Sequence, residues 1–265
     1  MKLQEICSSF KHSGGEIHLN LNNLFMSNII RFDLLSSDSI MEMLLAVNAI
    51  KNVGINDISA IIPYIPYGRA DRIMPNGGGD ALGIKVMADI INSCGFKTVY
   101  TLDTHSAVTD ALINNVVVEK PFKIIKKALE DRDSRVCTFI SPDAGAEKKI
   151  YAYAKTFGAN ICRATKKRNV QTGEIESIKL IDEIPERHFV YVIDDICDGG
   201  RTFIELAKIL PKKCEPYLVV SHGIFSKGTE ELTKYYKKIY TSDSFNTPAT
   251  ETLIKVNVWK ELGLD

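Results

Sequence analysis

The sequence lacks an excess of charge of either sign, because 33 lysine and arginine residues balance 33 aspartate and glutamate residues. Nucleic-acid-binding proteins usually carry a basic excess, so this balance argues against a nucleic-acid partner. It remains compatible with small anionic ligands, which need only local positive charge. A chain of 265 residues with 45% hydrophobic residues has the composition of one large globular domain or two modest ones.

Paired cysteines and long apolar runs are missing as well. The six cysteines are scattered and form no CxxC motif, so zinc and redox motifs are not expected. Most lie within or beside apolar segments, where a free thiol behaves as a small hydrophobic side chain. No run approaches the roughly 20 apolar residues of a membrane-spanning helix, and the N-terminus has no signal-peptide core. We therefore expect a cytoplasmic protein without a membrane partner.

What the chain does contain is an alternation of strand-like and helix-like segments. The strand-like segments are 58–64, 97–103, 135–141, 159–165, 189–195 and 215–222, and the helix-like ones are 41–50, 80–95, 122–130, 146–158 and 202–210. Such alternation predicts an α/β fold with mostly parallel sheets. It breaks near Pro121, so we expect two domains, 1–120 and 121–248, and a tail, 249–265, that packs back on the first domain.

The most unusual stretch is "VIDDICDGGRT", residues 192–202. An apolar strand leads into Asp194 and Asp195, and a tight loop from Asp198 to Thr202 then enters the next helix. Glycines allow backbone N–H groups to converge on an anion, and a helix N-terminus adds positive potential. The paired acids suit the hydroxyls of a ribose. The alternative interpretation is an acidic strand end followed by a helix cap.

This stretch resembles the phosphoribosyl diphosphate loop of type I phosphoribosyltransferases and ribose-phosphate diphosphokinases. The resemblance implies that the acids hold the sugar and that the loop holds its 5-phosphate. The loop consists of Asp198, Gly199, Gly200, Arg201 and Thr202. The loop alone does not distinguish enzymes that make the diphosphate from those that consume it.

Two segments in the first half resemble the diphosphokinases in particular. "IIPYIPYGRADR", residues 61–72, is similar to their ATP-binding segment, which assigns Arg69, Asp71 and Arg72 to ATP. "TLDTHS", residues 101–106, is similar to their metal-site strand. Asp103 and His105 are two residues apart, so on a strand they would face the same side and contact magnesium, its waters or the ATP phosphates. Taken singly, the arginines could be solvated and the histidine a satisfied polar group.

Three more segments extend the resemblance. "SPDAGAEKK", residues 141–149, is similar to a loop beside the ribose and diphosphate and contributes Asp143. "CRATKKRNVQTGE", residues 162–174, resembles the flexible catalytic loop, which implies that Lys166 and Arg168 stabilise the transferring phosphoryl groups. A basic run on a loop is otherwise simply solvated. "HSGGEIHLNL" resembles the motif by which a neighbouring subunit reaches the adenine, and it contributes His12 and Glu16.

The chain is therefore identified as a shortened, divergent member of the ribose-phosphate diphosphokinase family, whose first strand and helix it largely lacks. The resemblance implies two phosphoribosyltransferase-like domains, a homo-oligomer, and ATP as a partner. It implies magnesium-dependent transfer of the ATP diphosphoryl group to the 1-hydroxyl of a ribose 5-phosphate unit, with release of AMP. The catalytic residues would be Lys166, Arg168 and His105, and the metal would be bound near Asp103, His105 and Asp143.

The 5-phosphate loop departs from the family pattern, which is typically Asp-Thr/Ser-Gly-Gly-Thr. Gly199 removes a hydroxyl donor, and Arg201 replaces a glycine. An arginine binds phosphate oxygens with two parallel hydrogen bonds, so one interpretation is an acceptor with a second phosphate, such as ADP-ribose. The other is that Arg201 points outward. A phosphoribosyltransferase and a non-catalytic regulatory homologue remain as alternative functions.

Overall fold

The computed structural model describes residues 1–22, 28–73, 79–130, 136–143, 145–168, 175–185 and 189–264. The chain folds into two compact units. The first comprises Met1–Lys120 with Trp259–Asp265, and the second comprises Pro121–Val258. Both are built on parallel sheets with interspersed helices, which confirms the predicted α/β fold class.

The first unit contains a parallel sheet and a separate antiparallel hairpin. Its elements are α1 (Leu3–Ile6), β1 (Cys7–Lys11), β2 (Ile17–Leu21), β3 (Ile29–Arg31), α2 (Ser37–Asn52), β4 (Ser59–Ile61), α3 (Gly83–Ser93), β5 (Val99–Leu102), α4 (Ala107–Leu112) and β6 (Val116–Glu119). The sheet order is β3-β4-β5-β6, and β1 pairs with β2. The Ser36 hydroxyl accepts the N–H of Ser39 and caps α2.

The second unit contains a seven-stranded sheet. Its elements are α5 (Phe122–Leu129), β7 (Cys137–Ser141), α6 (Glu147–Phe157), β8 (Asn160–Arg168), β9 (Ile175–Leu180), β10 (Phe189–Cys197), α7 (Arg201–Lys208), β11 (Glu215–Gly223), α8 (Glu230–Thr233), β12 (Ile239–Ser242) and β13 (Leu253–Val256). Helix α9 (Val258–Glu261) begins at Val258, the last residue of this unit. The strand order is β13-β12-β11-β10-β7-β8-β9. Adjacent strands are parallel except β8 and β9.

The central strands of the second unit explain why its sequence runs are apolar without alternation. Every residue of β7 and the first five residues of β10 are buried. A parallel strand with helices on both faces has no solvent-facing side, so polar residues appear only towards its carboxyl end. This is where β10 carries Asp194 and Asp195.

Two segments differ from the sequence-based expectations. The strand expected over 159–165 extends further, because residues 166–168, expected on a loop, lie in β8, which pairs with β9 up to Arg168↔Ile175. Residues 169–174 of the expected loop lie outside the described residues. In the tail, Leu253–Val256 pairs in parallel with β12, so backbone hydrogen bonding keeps residues 249–258 in the second unit, and only Trp259–Asp265 groups with the first.

The six cysteines are all free thiols, and five of them are buried. Within the described parts of the chain, the helices are too short or too polar to span a bilayer.

Candidate active site

The acid pair of the second unit lies within β10 rather than after it. Pairing with β11 continues to Cys197↔Gly223, so Asp194 and Asp195 are part of the strand. The Asp194 carboxylate accepts the N–H of Asp195 at 3.0 Å. Burial raises the pKa of Asp194 well above its ordinary value, and the charges of Asp195 and Asp143 raise it further. The ionised form of Asp194 is therefore disfavoured, and a hydrogen bond from a sugar hydroxyl or the charge of a cation would favour it.

Lys166 is the cation that the fold brings to Asp143, the acid whose charge also acts on Asp194. Its Nζ lies 2.7 Å from Asp143 Oδ2, and its side chain is only 12% exposed. Asp143 Oδ1 accepts the N–H groups of Gly145 and Ala146 at 3.0 and 3.2 Å. Burial opposes ionisation of Asp143, but Lys166 and these two N–H groups outweigh it and hold its pKa below the ordinary value. Asp143 is therefore an ionised, fully engaged carboxylate.

Lys166 and Arg168 both lie in β8, so the structure fixes their backbone through the pairing with β9. The Lys166 ammonium donates a hydrogen bond to Asp143, whereas the side chain of Arg168 lies outside the described part of the structure. The Lys166–Asp143 pair joins the end of β8 to the turn after β7, which are neighbouring strands in the sheet.

The candidate phosphate loop ends at Gly200, the residue before α7. Gly200 has φ +75°, and a Cβ built on it would lie 3.3 Å from three carbons of Leu232. Backbone conformation and packing both favour glycine here. Asp198 Oδ1 accepts the Ser226 hydroxyl at 2.6 Å, which anchors the start of the loop. The first N–H groups of a helix have no acceptor within the helix, so the start of α7 favours an anion.

Arg201 and Thr202 belong to the first turn of α7. Arg201 is exposed. The hydrogen bond that Lys208 donates to Glu205 raises the pKa of Lys208, and the charge of Arg201 acts in the opposite direction. Lys208 lies seven residues after Arg201, which places the two on the same face of a helix. This favours an Arg201 side chain on the solvent side of α7.

In the first unit, the expectation for Asp103 and His105 was wrong in its geometry. Strand β5 ends at Leu102, so neither residue lies on a strand and the alternation rule does not apply. Asp103 adopts φ +39° and donates its N–H to the carbonyl of Glu119 at 2.9 Å. This left-handed backbone conformation turns the chain directly after the carboxyl end of β5. Asp103 is buried, with 5% exposure, whereas His105 is exposed.

Buried hydroxyls around this turn have no hydrogen-bond partner among the described residues. They are Oγ1 of Thr101, Oγ of Ser106 and Oγ1 of Thr109. A Cβ built on Gly68 would lie 3.7 Å from His105 Cβ and 3.8 Å from Thr109 Oγ1, so the 67–71 turn packs against this segment. Unpaired buried hydroxyls cost free energy and call for a ligand or water. We did not predict them from the sequence, although they flank the "TLDTHS" segment.

The predicted ATP residues differ in their surroundings. Arg69 and Arg72 are exposed, whereas Asp71 is partly buried. Asp71 Oδ1 lies 3.5 Å from Arg72 Nε, close enough for an ion pair but not for a hydrogen bond to satisfy this buried oxygen. The carboxylate of Asp71 thus joins the polar atoms of the first unit that lack a hydrogen-bond partner in the described structure.

His12 and Glu16 lie at the turn between β1 and β2, where the N–H of His12 donates to the carbonyl of Glu16 at 2.8 Å. The His12 ring makes edge contacts with Phe10 and His18, at centroid distances of 4.9 and 5.8 Å. All four side chains are exposed. The hairpin therefore presents aromatic rings to solvent.

The predicted metal ligands do not form one cluster in the described residues, where no group of three or more His, Cys, Asp and Glu side chains is placed to hold a metal ion. Asp103 and His105 belong to the first unit and Asp143 to the second. Oxygen and imidazole donors are chemically suited to magnesium or its bound waters. The donor atoms of these residues therefore suit magnesium. Next to His105 in the chain, the Ser106 hydroxyl has no hydrogen-bond partner among the described residues.

Known proteins similar to this chain point to one enzyme family. Residues 11–95 match the family described as the N-terminal domain of ribose phosphate pyrophosphokinase, a synonym of diphosphokinase. The ribose-phosphate pyrophosphokinase of Maricaulis maris (strain MCS10) is 28% identical over 225 residues, 82% of this chain and 71% of that protein. That of Mycoplasmopsis pulmonis (strain UAB CTIP) is 29% identical over 243 residues, 85% and 74% respectively.

Other relatives are matched over less of their own length, such as the ribose-phosphate pyrophosphokinase of Gloeobacter violaceus (strain ATCC 29082 / PCC 7421), of which the match covers 57%. Among solved structures, the phosphoribosylpyrophosphate synthetase from Mycobacterium smegmatis superimposes with a TM-score of 0.81 at 17% identity. The match covers 98% of this chain and 90% of that one, so the two share their fold.

Proposed function

The chain is a divergent relative of the ribose-phosphate pyrophosphokinases, and on that premise we propose that it transfers the diphosphoryl group of ATP to ribose 5-phosphate. The 1-hydroxyl of the sugar attacks the β-phosphorus of ATP and AMP leaves. The observation that carries this proposal is the arrangement in the second unit. A little-exposed lysine, Lys166, lies against the carboxylate of Asp143, whose charge also acts on the partly buried Asp194. After Asp194, the chain continues through a glycine loop into a helix.

The second unit supplies the sugar-binding residues in this proposal. Asp194 and Asp195 accept hydrogen bonds from the ribose hydroxyls, and these donors stabilise a carboxylate whose ionised form is disfavoured without them. The 5-phosphate binds the N–H groups of the loop from Asp198 to Thr202. Gly200 allows the loop its left-handed turn before α7.

Lys166 supplies positive charge to the transferring phosphoryl groups, together with Arg168. In the structure Lys166 is engaged by Asp143, so this role requires an exchange of partners. Because Asp143 is also bound by two backbone N–H groups, it remains partly compensated when the lysine leaves. The exchange moves one charge by the length of a side chain and needs no change in the sheet.

We propose magnesium as the cofactor. Asp103 and His105 in the first unit, and Asp143 in the second, are the residues that would bind the metal or its waters. When bound, it neutralises phosphate charge. In the first unit, Asp71, Arg69 and Arg72 bind ATP, beside the segment that carries the buried hydroxyls of residues 101–109.

The direct test is AMP formation from ATP, with and without ribose 5-phosphate. AMP and phosphoribosyl diphosphate formed in equal amounts, only when sugar is present, are the expected result. An Asp194→Asn variant is the matched control for the sugar site, since it keeps the size of the side chain and removes its charge. Sugar-independent AMP formation, or none at all, would refute the proposal.

The metal assignment is tested by His105→Ala. We expect the magnesium titration of activity to shift to higher concentration, because a ligand of the metal or its waters is lost. An unchanged midpoint with full activity would make His105 a surface residue without a role in the metal site.

ADP-ribose is a second candidate acceptor, because Arg201 lies in the first turn of α7, although its exposed side chain would have to turn towards the loop to contact a second phosphate. A charge-assisted bidentate contact to a second phosphate would be worth about 1.5–3 kcal/mol, or roughly ten- to a hundredfold in preference. Arg201→Gly should then raise the KM for ADP-ribose and leave that for ribose 5-phosphate unchanged. Equal use of both acceptors by wild type and variant would exclude this role.

The alternatives make different predictions. A phosphoribosyltransferase would consume phosphoribosyl diphosphate with a nucleobase and would not need ATP. A non-catalytic homologue would bind ATP without forming AMP. The segments 61–72 and 101–106 favour the diphosphokinase over a phosphoribosyltransferase. The presence of Lys166, Arg168, His105 and Asp143 favours it over a non-catalytic homologue.

We also propose that the chain forms a homo-oligomer in which the exposed hairpin with His12 and Glu16 approaches the adenine bound by another copy. Sedimentation of wild type and His12→Ala, with ATP affinity measured in parallel, tests this. A monomer with undiminished ATP affinity in the variant would contradict it.

A further inference from the structure

Lys227 lies against the candidate phosphate loop, although it is 28 residues away from Gly199 in the chain. A Cβ built on Gly199 would lie 3.6 Å from Cδ and 3.7 Å from Cε of Lys227. These are ordinary van der Waals distances, so the aliphatic stem of the lysine covers the open side of this glycine. The ammonium group is one bond beyond Cε. Lys227 is exposed and has no ion-pair partner in the described part of the chain.

The segment that carries Lys227 is fastened to the loop by several contacts. The carbonyl of Cys197 accepts the N–H groups of Ile224 and Phe225 at 2.9 and 3.1 Å. Ser226, the neighbour of Lys227, donates its hydroxyl to Asp198 at 2.6 Å. The backbone around Lys227 is thus bound to both residues that precede Gly199.

A strained residue fixes the direction of this segment. Phe225 has φ +47°, which is unusual for a residue with a side chain. The residue is buried, with 5% exposure. A Cβ built on Gly223 would lie 2.1 Å from a carbon of the Phe225 ring, so the ring packs against the backbone of β11 where only glycine leaves room. Such strain persists only where the surroundings hold it. Here it turns the chain so that Ser226 and Lys227 meet the loop.

The charges around the loop give this lysine a function. Asp194, Asp195 and Asp198 all border it, and Gly199 has no side chain with which to donate a hydrogen bond. A phosphate dianion in such surroundings requires a cation. Arg201 lies beside the face of α7 that carries Lys208, whereas the stem of Lys227 lies on the loop itself. We infer that Lys227 is a phosphate-binding residue of the sugar site, which contacts the phosphate on the 5-position of the ribose.

This inference rests on the proposed function for the identity of the sugar, but it makes a prediction about binding alone. Its test is the affinity of the wild-type chain and of Lys227→Met for ribose 5-phosphate, ADP-ribose and unphosphorylated ribose, measured by calorimetry. Methionine keeps a stem over Gly199 and removes the charge. We expect the Kd for ribose 5-phosphate to rise about tenfold and its salt dependence to weaken, while the Kd values for ribose and ATP stay unchanged.

Two further variants complete the experiment. Lys227→Arg should restore most of the affinity, because it returns the charge at nearly the same reach. Lys212→Ala is the matched control, since this exposed lysine follows the opposite end of α7. In turnover, Lys227→Met should raise the KM for the sugar phosphate and leave kcat unchanged, as expected for a contact present equally in the ground and transition states.

The inference is overturned if Lys227→Met binds ribose 5-phosphate and ADP-ribose as wild type does, or if wild type binds neither. It is also overturned if the affinity for unphosphorylated ribose falls by the same factor, since Lys227 would then only shape the loop. Failure of the proposed function is read separately, from the absence of AMP formation by wild type. Phosphate-dependent binding that requires Lys227 would support the inference even without such turnover.

Discussion

The two units of the molecule differ in whether the polar groups of their candidate sites have hydrogen-bond partners. In the second unit, the groups of the candidate site are paired with one another, as in Lys166–Asp143 and Asp198–Ser226. In the first unit, the hydroxyls of Thr101, Ser106 and Thr109 have no hydrogen-bond partner in the described residues. The second unit has two such atoms as well, on Thr241 and Asp243, but they lie at the end of β12.

This difference affects how each unit can meet a ligand. The hydroxyls of Thr101 and Thr109 are fully buried, so a ligand of the first unit can reach them only if the surrounding residues move. In the second unit, a ligand that takes Lys166 has to replace Asp143, whereas a ligand that donates to Asp194 stabilises a carboxylate whose ionised form is disfavoured.

The largest effect is expected from Lys166→Ala, which removes one member of the paired charges. We expect kcat to fall on the order of a hundredfold, equivalent to about 3 kcal/mol, because the lysine acts mainly on the charge of the transition state. The KM for ATP should change little. The loss of Lys166 should also raise the pKa of Asp143, because the hydrogen bond and charge of the lysine lower that pKa in the wild-type protein.

Steady-state kinetics measure this effect, with Lys155→Ala as the control because Lys155 is an exposed lysine on α6. Wild-type turnover in Lys166→Ala would show that the pair with Asp143 is only structural.

The next effect compares two glycines of the second unit, Gly200 and Gly158, which have φ +75° and +65°. An alanine at either position should lower the free energy of unfolding by about 1 kcal/mol or more, because left-handed backbone disfavours a side chain. A Cβ at Gly200 meets Leu232 at 3.3 Å, whereas a Cβ at Gly158 meets nothing within 4 Å. Only Gly200→Ala should therefore raise the KM for the sugar, by roughly tenfold, equivalent to about 1.4 kcal/mol.

Denaturant unfolding and sugar-dependent kinetics on both variants measure this difference. An equal rise of KM in both would mean that the stability of the unit, and not the shape of the loop, controls sugar binding.

A smaller effect probes the first unit. Thr109→Val replaces an unpaired buried hydroxyl by a methyl group, so the unliganded protein should become more stable by about 1 kcal/mol. The stabilisation that ATP provides should stay the same in this variant, because the Thr109 hydroxyl is fully buried and a ligand does not contact it. Thermal unfolding with and without ATP measures both quantities.

The control for this variant is Thr104→Val in the same unit. The hydroxyl of Thr104 donates to Asp110 at 2.6 Å, so its loss should destabilise the unliganded protein. If both variants destabilise it equally, Thr109 has a partner in solution, such as an ordered water, and the contrast between the units is weaker than the structure indicates.

The smallest effect concerns the ion pair between Asp182 and Arg163, which lies in the same strand as Lys166. Hydrogen bonds from Arg163 lower the pKa of Asp182 to about 2. Because the folded pKa lies below the ordinary value, the stabilisation is present above about pH 4 and is lost as the pH falls towards 2. Solvent screening keeps it small.

We therefore expect Asp182→Asn to lower the free energy of unfolding slightly at pH 7, with the difference from wild type closing below pH 4. Denaturant unfolding at pH 7, 4 and 3 measures it. A difference that grows at low pH would contradict the assigned ion pair.

The parts of the fold that could be predicted from the sequence are those set by local periodicity. The buried run of β10 and the alternation of strands with helices follow from hydrophobic patterns, and Gly200 follows from the need for a turn before α7. The pairing of β8 with β9 could not be predicted in the same way, because register depends on partners far away in the chain. The same limit explains why Leu253–Val256 was assigned to the wrong unit.

Within the candidate site, the sequence indicated which residue types were present but not which of them meet. Asp103 and His105 were expected on one face of a strand, yet β5 ends before both, since the chain turns at the left-handed Asp103. Backbone conformation at a single residue thus changed the geometry of the pair. No spacing rule predicts such a position for an aspartate.

What the sequence alone determined is the α/β architecture, the acid pair near the carboxyl end of β10 and the glycine loop before α7, because each is encoded within a dozen neighbouring residues. Tertiary structure decided that Lys166 pairs with Asp143, 23 residues earlier, and that Lys227 covers Gly199. These contacts depend on which strands are neighbours in the sheet and on how Phe225 turns the chain. Charge attraction and packing between segments that are distant in the chain stabilise these contacts. Local sequence patterns therefore do not predict them.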